Sequence, residues 1–183
     1  SGILPEEAAR MGISLIPMPF LIDGAEYREG EDCTPAFFFE RLAAGAEVAT
    51  SQPGPGDVTE LWERLLEEND AILHFPMSAS LSGSCQTAKA LALDYPGRVF
   101  VVDNRRISVT LLESVRNAQR LLSAGHSAEE VHRILEERGG ESSIYIAVNT
   151  LEYLKKGGRV TAAGAAMGTL LNLKPVLQIQ GGK

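Results

Sequence analysis

Apolar residues follow two patterns along the chain. At residues 71–75, 99–102 and 144–148 they run almost without interruption, which predicts strands buried on both faces. Residues 85–91, residues 107–122 and a segment opened by Ser127-Ala128-Glu129-Glu130 read instead as helices. The last of these carries a capping box and stops at Gly139-Gly140. Residues 58–68 repeat the amphipathic pattern, with Leu61, Leu65 and Leu66 turned inward. Strands and helices alternate here, so right-handed crossovers and a parallel sheet are expected.

The flanks are less regular. Residues 6–11 read as a short helix with Gly12 at its C-terminal cap. Residues 13–22 are rich in strand formers, but Pro17 and Pro19 predict an edge or irregular strand. Asp23-Gly24 then marks a tight hairpin turn into residues 25–28. Thr34-Pro35 opens a helix that Gly45 closes, and Phe37, Phe38 and Leu42 give it a core-facing side. Asn149-Thr150 reads as the cap of residues 151–156. After Gly157-Gly158 the texture changes: residues 162–168 are small, and Leu170-Leu171-Asn172-Leu173-Lys174-Pro175 leads into a strand-like segment at residues 176–180. Gly181-Gly182 then reads as a hairpin turn with no partner strand after it, as expected of a second domain that begins and is cut off.

The polar loops carry the candidate chemistry. Met77-Ser78-Ala79-Ser80-Leu81-Ser82-Gly83-Ser84 joins the strand at residues 71–75 to the helix at residues 85–91. Ligands of open α/β sheets bind at such strand-to-helix turns. The first N–H groups of the helix lack intrahelical partners and favour an anion, and Ser80, Ser82 and Ser84 add hydroxyl donors. No fixed cation stands in the loop, which suits a carboxylate better than a polyphosphate. A second hydroxyl cluster, Thr50-Ser51-Gln52-Pro53-Gly54-Pro55-Gly56-Asp57, reads as an ordered turn in which Asp57 caps the next helix through Glu60. Taken singly, either loop is equally well read as capping and turn chemistry.

Composition narrows the field. A chain of 183 residues buries roughly 70% of its unfolded surface, enough for a true core. The net charge of −7 is uneven: residues 1–150 carry −11 and residues 151–183 carry +4. An acidic body argues against general nucleic-acid binding, and the basic segment reads as a solvated face or a docking surface for an acidic or phosphate-bearing partner. Cys33 and Cys85 have no metal or redox spacing and are expected as free buried thiols. No apolar run is long enough for a membrane span, and Ser1-Gly2-Ile3-Leu4-Pro5 lacks the features of a signal peptide, so a cytoplasmic protein is expected.

Six motifs, in order, resemble the DegV family of bacterial fatty-acid-binding proteins, which serve as carrier subunits of fatty acid kinase. They are Ile22-Asp23-Gly24 with Tyr27-Arg28; Thr50-Ser51-Gln52-Pro53 with Pro55-Gly56-Asp57; and Ser80-Leu81-Ser82-Gly83-Ser84. Val102-Asp103 with Ser108, the run from Leu151-Glu152-Tyr153-Leu154 through Lys155-Lys156-Gly157-Gly158-Arg159, and Gly168-Thr169-Leu170-Leu171-Asn172-Leu173-Lys174-Pro175 complete the set. The resemblance implies a doubly wound, mostly parallel α/β domain over residues 1–150. It implies that a second α+β domain starts at residues 151–183, with an acyl chain buried between the two. It further implies that Thr50 and Ser82 hydrogen-bond a long-chain fatty acid carboxylate, aided by Ser51 and the backbone around Gly83 and Ser84. A kinase catalytic subunit would phosphorylate that carboxylate, with Arg159 at the docking or phosphate contact. The carrier itself would be a monomer, need no cofactor or metal and perform no chemistry.

The chain departs from the family pattern in places. The family's opening strand with its Asp-Ser turn, which precedes the pair matched by Leu4-Pro5, is absent. So is the later part of the second domain with its ligand-proximal His, and the chain reads as truncated at both ends. Ser84 stands where Thr is common and Thr110 where Gly is usual. Two other readings remain open. In a serine hydrolase Ser82 would be the nucleophile and His74, His126 or His132 the base, but Ser80 and Ser84 occupy the positions where a nucleophile elbow needs Gly. His74 reads as a core residue and the other two as exposed. A lipid-sensing regulator without a kinase would bind the same ligand. Nucleotide binding has little support, because Gly54-Pro55-Gly56 lacks a third Gly and no Walker-type loop occurs.

Overall fold

Two parallel strands, β4 (Ile72–His74) and β5 (Val99–Val101), form the centre of the molecule, paired Ile72 to Val99 and His74 to Val101. The computed structural model describes residues 2–160 and 174–182. Before β4 come α1 (Pro5–Met11), β1 (Pro19–Ile22), β2 (Ala25–Arg28), α2 (Pro35–Ala43), β3 (Val48–Thr50) and α3 (Pro55–Leu66). Helix α4 (Ser84–Leu91) crosses from β4 to β5; α5 (Ser108–Ser123), α6 (Ala128–Glu137), β6 (Ser143–Ala147), α7 (Glu152–Lys156) and β7 (Val176–Gln180) follow.

Helices cover both faces of the β4–β5 pair, which is why its residues read as an apolar run. Val99 and Val101 face α3 and α4, in a cluster with Val58, Trp62, Cys85 and Ala88. Phe100 points the other way, against the His132 ring of α6, and Val102 packs on that side with Ala118, Val131 and Leu135. Helix α3 buries Val58 and Trp62 rather than the three leucines expected, which are only half-buried. The tryptophan takes the innermost place because its ring spans the gap to β4. The capping box of α6 forms as expected, Ser127 accepting from Glu130 N–H while Glu130 accepts from Ser127 N–H. Both cysteines are free and buried.

The mixed α/β architecture agrees with the sequence, but two other sheets are antiparallel. Strand β1 lies between β2 and β3 and is not an edge strand. Pro19 is tolerated there because it is the first residue: its carbonyl accepts from Ser51 N–H, and no ladder donor is needed from its nitrogen. Asp23 and Gly24 both have positive φ (51° and 81°), the geometry of a type I′ hairpin turn. Phe20, Ile22 and Cys33 form the core under this sheet. Helix α2 covers it incompletely, since Phe38 packs edge-on against Phe20 while Phe37 lies partly in solvent.

Strand β6 is not a buried parallel strand. It pairs antiparallel with β7, Ser143 opposite Gln180 through Ala147 opposite Val176, and Tyr145 is exposed. Strand β7 takes its partner from about thirty residues earlier in the chain rather than from a strand beyond Gly181-Gly182. Residues 162–168 and most of the Leu170–Pro175 motif lie outside the described residues.

Candidate functional site

The turn after β4 is built as a small hydrogen-bonded cage. Ser78, almost fully buried, donates its N–H to Arg106 O at 3.1 Å and accepts from the N–H groups of Leu81 (3.0 Å) and Ser82 (3.1 Å). Arg106 is braced in turn by Ser114 Oγ and Arg138 O, each at 3.1 Å. Ser82 sits on the rim, where its Oγ accepts from Ser84 N–H (3.2 Å) and donates to Ser84 Oγ (3.0 Å). The Ser82 hydroxyl thus satisfies one of the otherwise unpaired amides that open α4. Rotation about its C–O bond redirects the proton outward without giving up that acceptor role, so a capping hydroxyl is also a usable donor.

The second hydroxyl cluster is delivered by β3, where the sequence predicts only a turn. Thr50 ends that strand opposite Phe20, Ser51 N–H donates to Pro19 O (3.1 Å), and both residues are solvent-exposed. Asp57 does not cap α3. Gly54 is the N-cap, and Asp57 reaches Arg28 at 3.6 Å beside a cleft of about 260 Å³ that Ser51 and Gln52 also line. The prolines and glycines already set the backbone there, so the carboxylate is free to pair with the strand.

The two clusters meet through one side chain. Gln52 Nε2 donates to Thr87 Oγ1 at 2.9 Å, and Thr87 Oγ1 donates back to Gln52 Oε1 at 3.3 Å. A Cβ on Gly83 would lie 3.1 Å from Gln52 Oε1, so the amide rests over the N-terminus of α4. Thr50-Ser51 and Ser82-Gly83-Ser84 are thereby brought to one end of the molecule. Arg159 is not tied to them: its guanidinium folds back to Gly157 O in its own exposed turn. Gly182, at the end of β7, closes the opposite side of the serine loop, where a Cβ would stand 2.9 Å from Ser80 Oγ and 3.2 Å from Ser78 Oγ.

The histidines are engaged elsewhere. Trp62 Nε1 donates to His74 Nδ1 at 3.4 Å, and burial lowers the His74 pKa to about 4. His126 faces Glu130 at 3.8 Å. His132 is half-buried rather than exposed, its Nε2 3.1 Å from Val101 O. Each is occupied away from Ser82, so the pairing that would activate a nucleophile is not formed. Among the described residues there is no cluster of His, Cys, Asp and Glu able to hold a metal ion. No helix among them is long and apolar enough to cross a membrane.

Sequence reasoning missed two features here. Gln52 was visible in its motif, but its partner lies 35 residues away and no local signal points to it. Asn104, at the carboxyl end of β5, is almost fully buried with neither side-chain polar atom hydrogen-bonded among the described residues. It gives no signal beyond its place at a strand's end.

In this mixed α/β fold, hydroxyl-bearing residues that follow β3 and β4 lie beside the N-terminus of α4, and open α/β sheets bind ligands at such strand-to-helix turns. This chain is a member of the DegV family: the model described as "Uncharacterised protein, DegV family" matches residues 1–183. A DegV domain-containing protein of Deinococcus radiodurans is 33% identical over 184 residues, all of this chain and 66% of that protein. A Thermus thermophilus DegV family protein, described for its fatty acid binding, superposes with a TM-score of 0.87 at 40% identity, covering 99% of this chain and 65% of its own. A stearic acid-binding protein from Eubacterium ventriosum superposes with a TM-score of 0.86 at 25% identity, covering 99% of this chain and 64% of its own. The chain thus spans 66% of the length of the curated relative.

Proposed function

We propose that this protein binds a long-chain fatty acid and holds its carboxylate between Thr50-Ser51 and the Ser82-Gly83-Ser84 turn. The observation that carries this reading is the meeting of the two hydroxyl clusters at the N-terminus of α4, joined by Gln52 and Thr87. Hydroxyls and amide dipoles supply the polar recognition. The fatty acids bound by the Thermus and Eubacterium relatives support the choice of ligand. Burial of a sixteen-carbon chain gains roughly 12 kcal/mol gross at about 0.8 kcal/mol per CH₂, so the head-group site needs no cation to hold its ligand.

The protein performs no chemistry in this scheme. It presents the carboxylate to the catalytic subunit of a fatty acid kinase, where a carboxylate oxygen attacks the γ-phosphorus of ATP and ADP departs, leaving an acyl phosphate. Arg159, exposed beside Lys155 and Lys156, is the contact for the kinase or the phosphate, and residues 151–183 open the second α+β domain. The first test is mass spectrometry of small molecules extracted from freshly purified protein. A stoichiometric fatty acid is expected, and an empty or nucleotide-loaded protein would remove the carrier reading. The combined variant Ser82→Ala, Thr50→Val is expected to weaken fatty acid retention with the fold intact.

A further inference from the structure

We infer that Gln52 and Thr87 are positioning residues: together they set the separation between the two halves of the head-group site without touching the ligand. The inference rests on the fatty acid reading above. Thr50 belongs to the β2–β1–β3 sheet and Ser82 to the turn after β4, and among the described residues no ladder joins those sheets. Backbone hydrogen bonds therefore leave the distance between the two hydroxyl clusters free. The Gln52–Thr87 pair spans that gap with reciprocal bonds of 2.9 and 3.3 Å.

Its anchorage on α4 is rigid. Thr87 lies one turn into the helix, with its N–H on Gly83 O at 3.0 Å, and its branched Cβ restricts the side chain to few rotamers. The amide crosses above Gly83, where a Cβ would come within 3.1 Å of it; glycine at this position lets the brace lie flat against the turn. The primary amide suits this task because it both gives and accepts a hydrogen bond with a single hydroxyl.

A carboxylate has two oxygens and needs donors on both clusters at a fixed spacing, and binding sites of this kind tolerate misplacement of only about 0.5 Å. A fatty alcohol has one oxygen and is indifferent to that spacing. The test therefore compares myristate with 1-tetradecanol by isothermal titration calorimetry, using wild-type protein and the variants Gln52→Ala, Thr87→Val, both together, Thr87→Ser and Ser82→Ala. Gln52→Ala and Thr87→Val are each expected to weaken myristate about fivefold, which corresponds to one hydrogen bond of about 1 kcal/mol. Tetradecanol binding is expected to stay unchanged, the double variant to be no weaker than either single one, and Thr87→Ser to match the wild type.

Equal losses for alcohol and acid would reduce the pair to a general stabilising contact and overturn the inference, as would additive losses in the double variant. Silent brace variants beside a damaging Ser82→Ala would sink the brace alone. A silent Ser82→Ala, or a wild type that binds neither ligand, would show the head-group site itself to be wrong and take the brace with it.

Discussion

His74 gives the fold a defined sensitivity to acid. It lies inside the β4–β5 layer with Trp62 edge-on to its ring, the centroids 5.3 Å apart, and the indole N–H directed at Nδ1. That nitrogen accepts, so the neutral ring carries its proton on Nε2, and a second proton has no favourable place in the folded protein. Burial moves the midpoint of protonation from 6.5 to about 4. Above pH 6.5 neither the folded nor the unfolded chain binds this proton, and the full stability is present. Between pH 6.5 and 4 the unfolded chain binds it and the folded chain does not, so stability falls by up to about 1.4 kcal/mol per pH unit. Below pH 4 both states are protonated and the loss levels off at about 3 kcal/mol. Urea unfolding at pH 7, 6, 5 and 4, run on the wild type and on His74→Asn, whose Oδ1 takes the place of Nδ1, isolates the effect because carboxylate titrations are common to both. The variant keeps an acceptor for Trp62 and loses the titrating ring. Its pH profile is expected to be flatter by about 3 kcal/mol across this range, and parallel profiles would refute the assignment.

Three further outcomes follow from local geometry. Gly182→Ala places a side chain at φ 90° and against Ser80 Oγ, and is expected to lower stability by about 1–3 kcal/mol in urea melts. Ser127→Ala removes the α6 cap and should cost about 1 kcal/mol, read as a lower thermal midpoint. Cys33 and Cys85 should react with a disulfide reagent only on unfolding: both are buried, and burial raises the pKa of both thiols, that of Cys85 to about 11.

Sequence reading succeeded at several places where a local rule governs the backbone, though not at Asp57, which does not cap α3. The α6 capping box, the Asp23-Gly24 hairpin and the Thr34-Pro35 helix start each depend on residues within a few positions of one another. It failed where a partner arrives from far along the chain. Strand β6 reads as apolar, yet what makes it antiparallel and half-exposed is β7. Pro19 read as a mark of an edge because the rule concerns a missing donor, whereas at the first residue of a central strand only the carbonyl is used. The candidate site shows the same division. Both hydroxyl clusters were visible as motifs, whereas the Gln52–Thr87 link between them is a tertiary contact that no window of sequence contains.

The close approach of Gly182 makes the β6–β7 ladder a mechanical stop for the serine loop. With no room for a methyl group between them, Ser78 and Ser80 cannot swing toward that side unless the end of β7 withdraws first. The end of β7 is held by the pairing of Gln180 with Ser143, so freeing the loop means fraying the ladder from that end. Amide exchange at Gln180 is expected to report how often that end of the ladder opens.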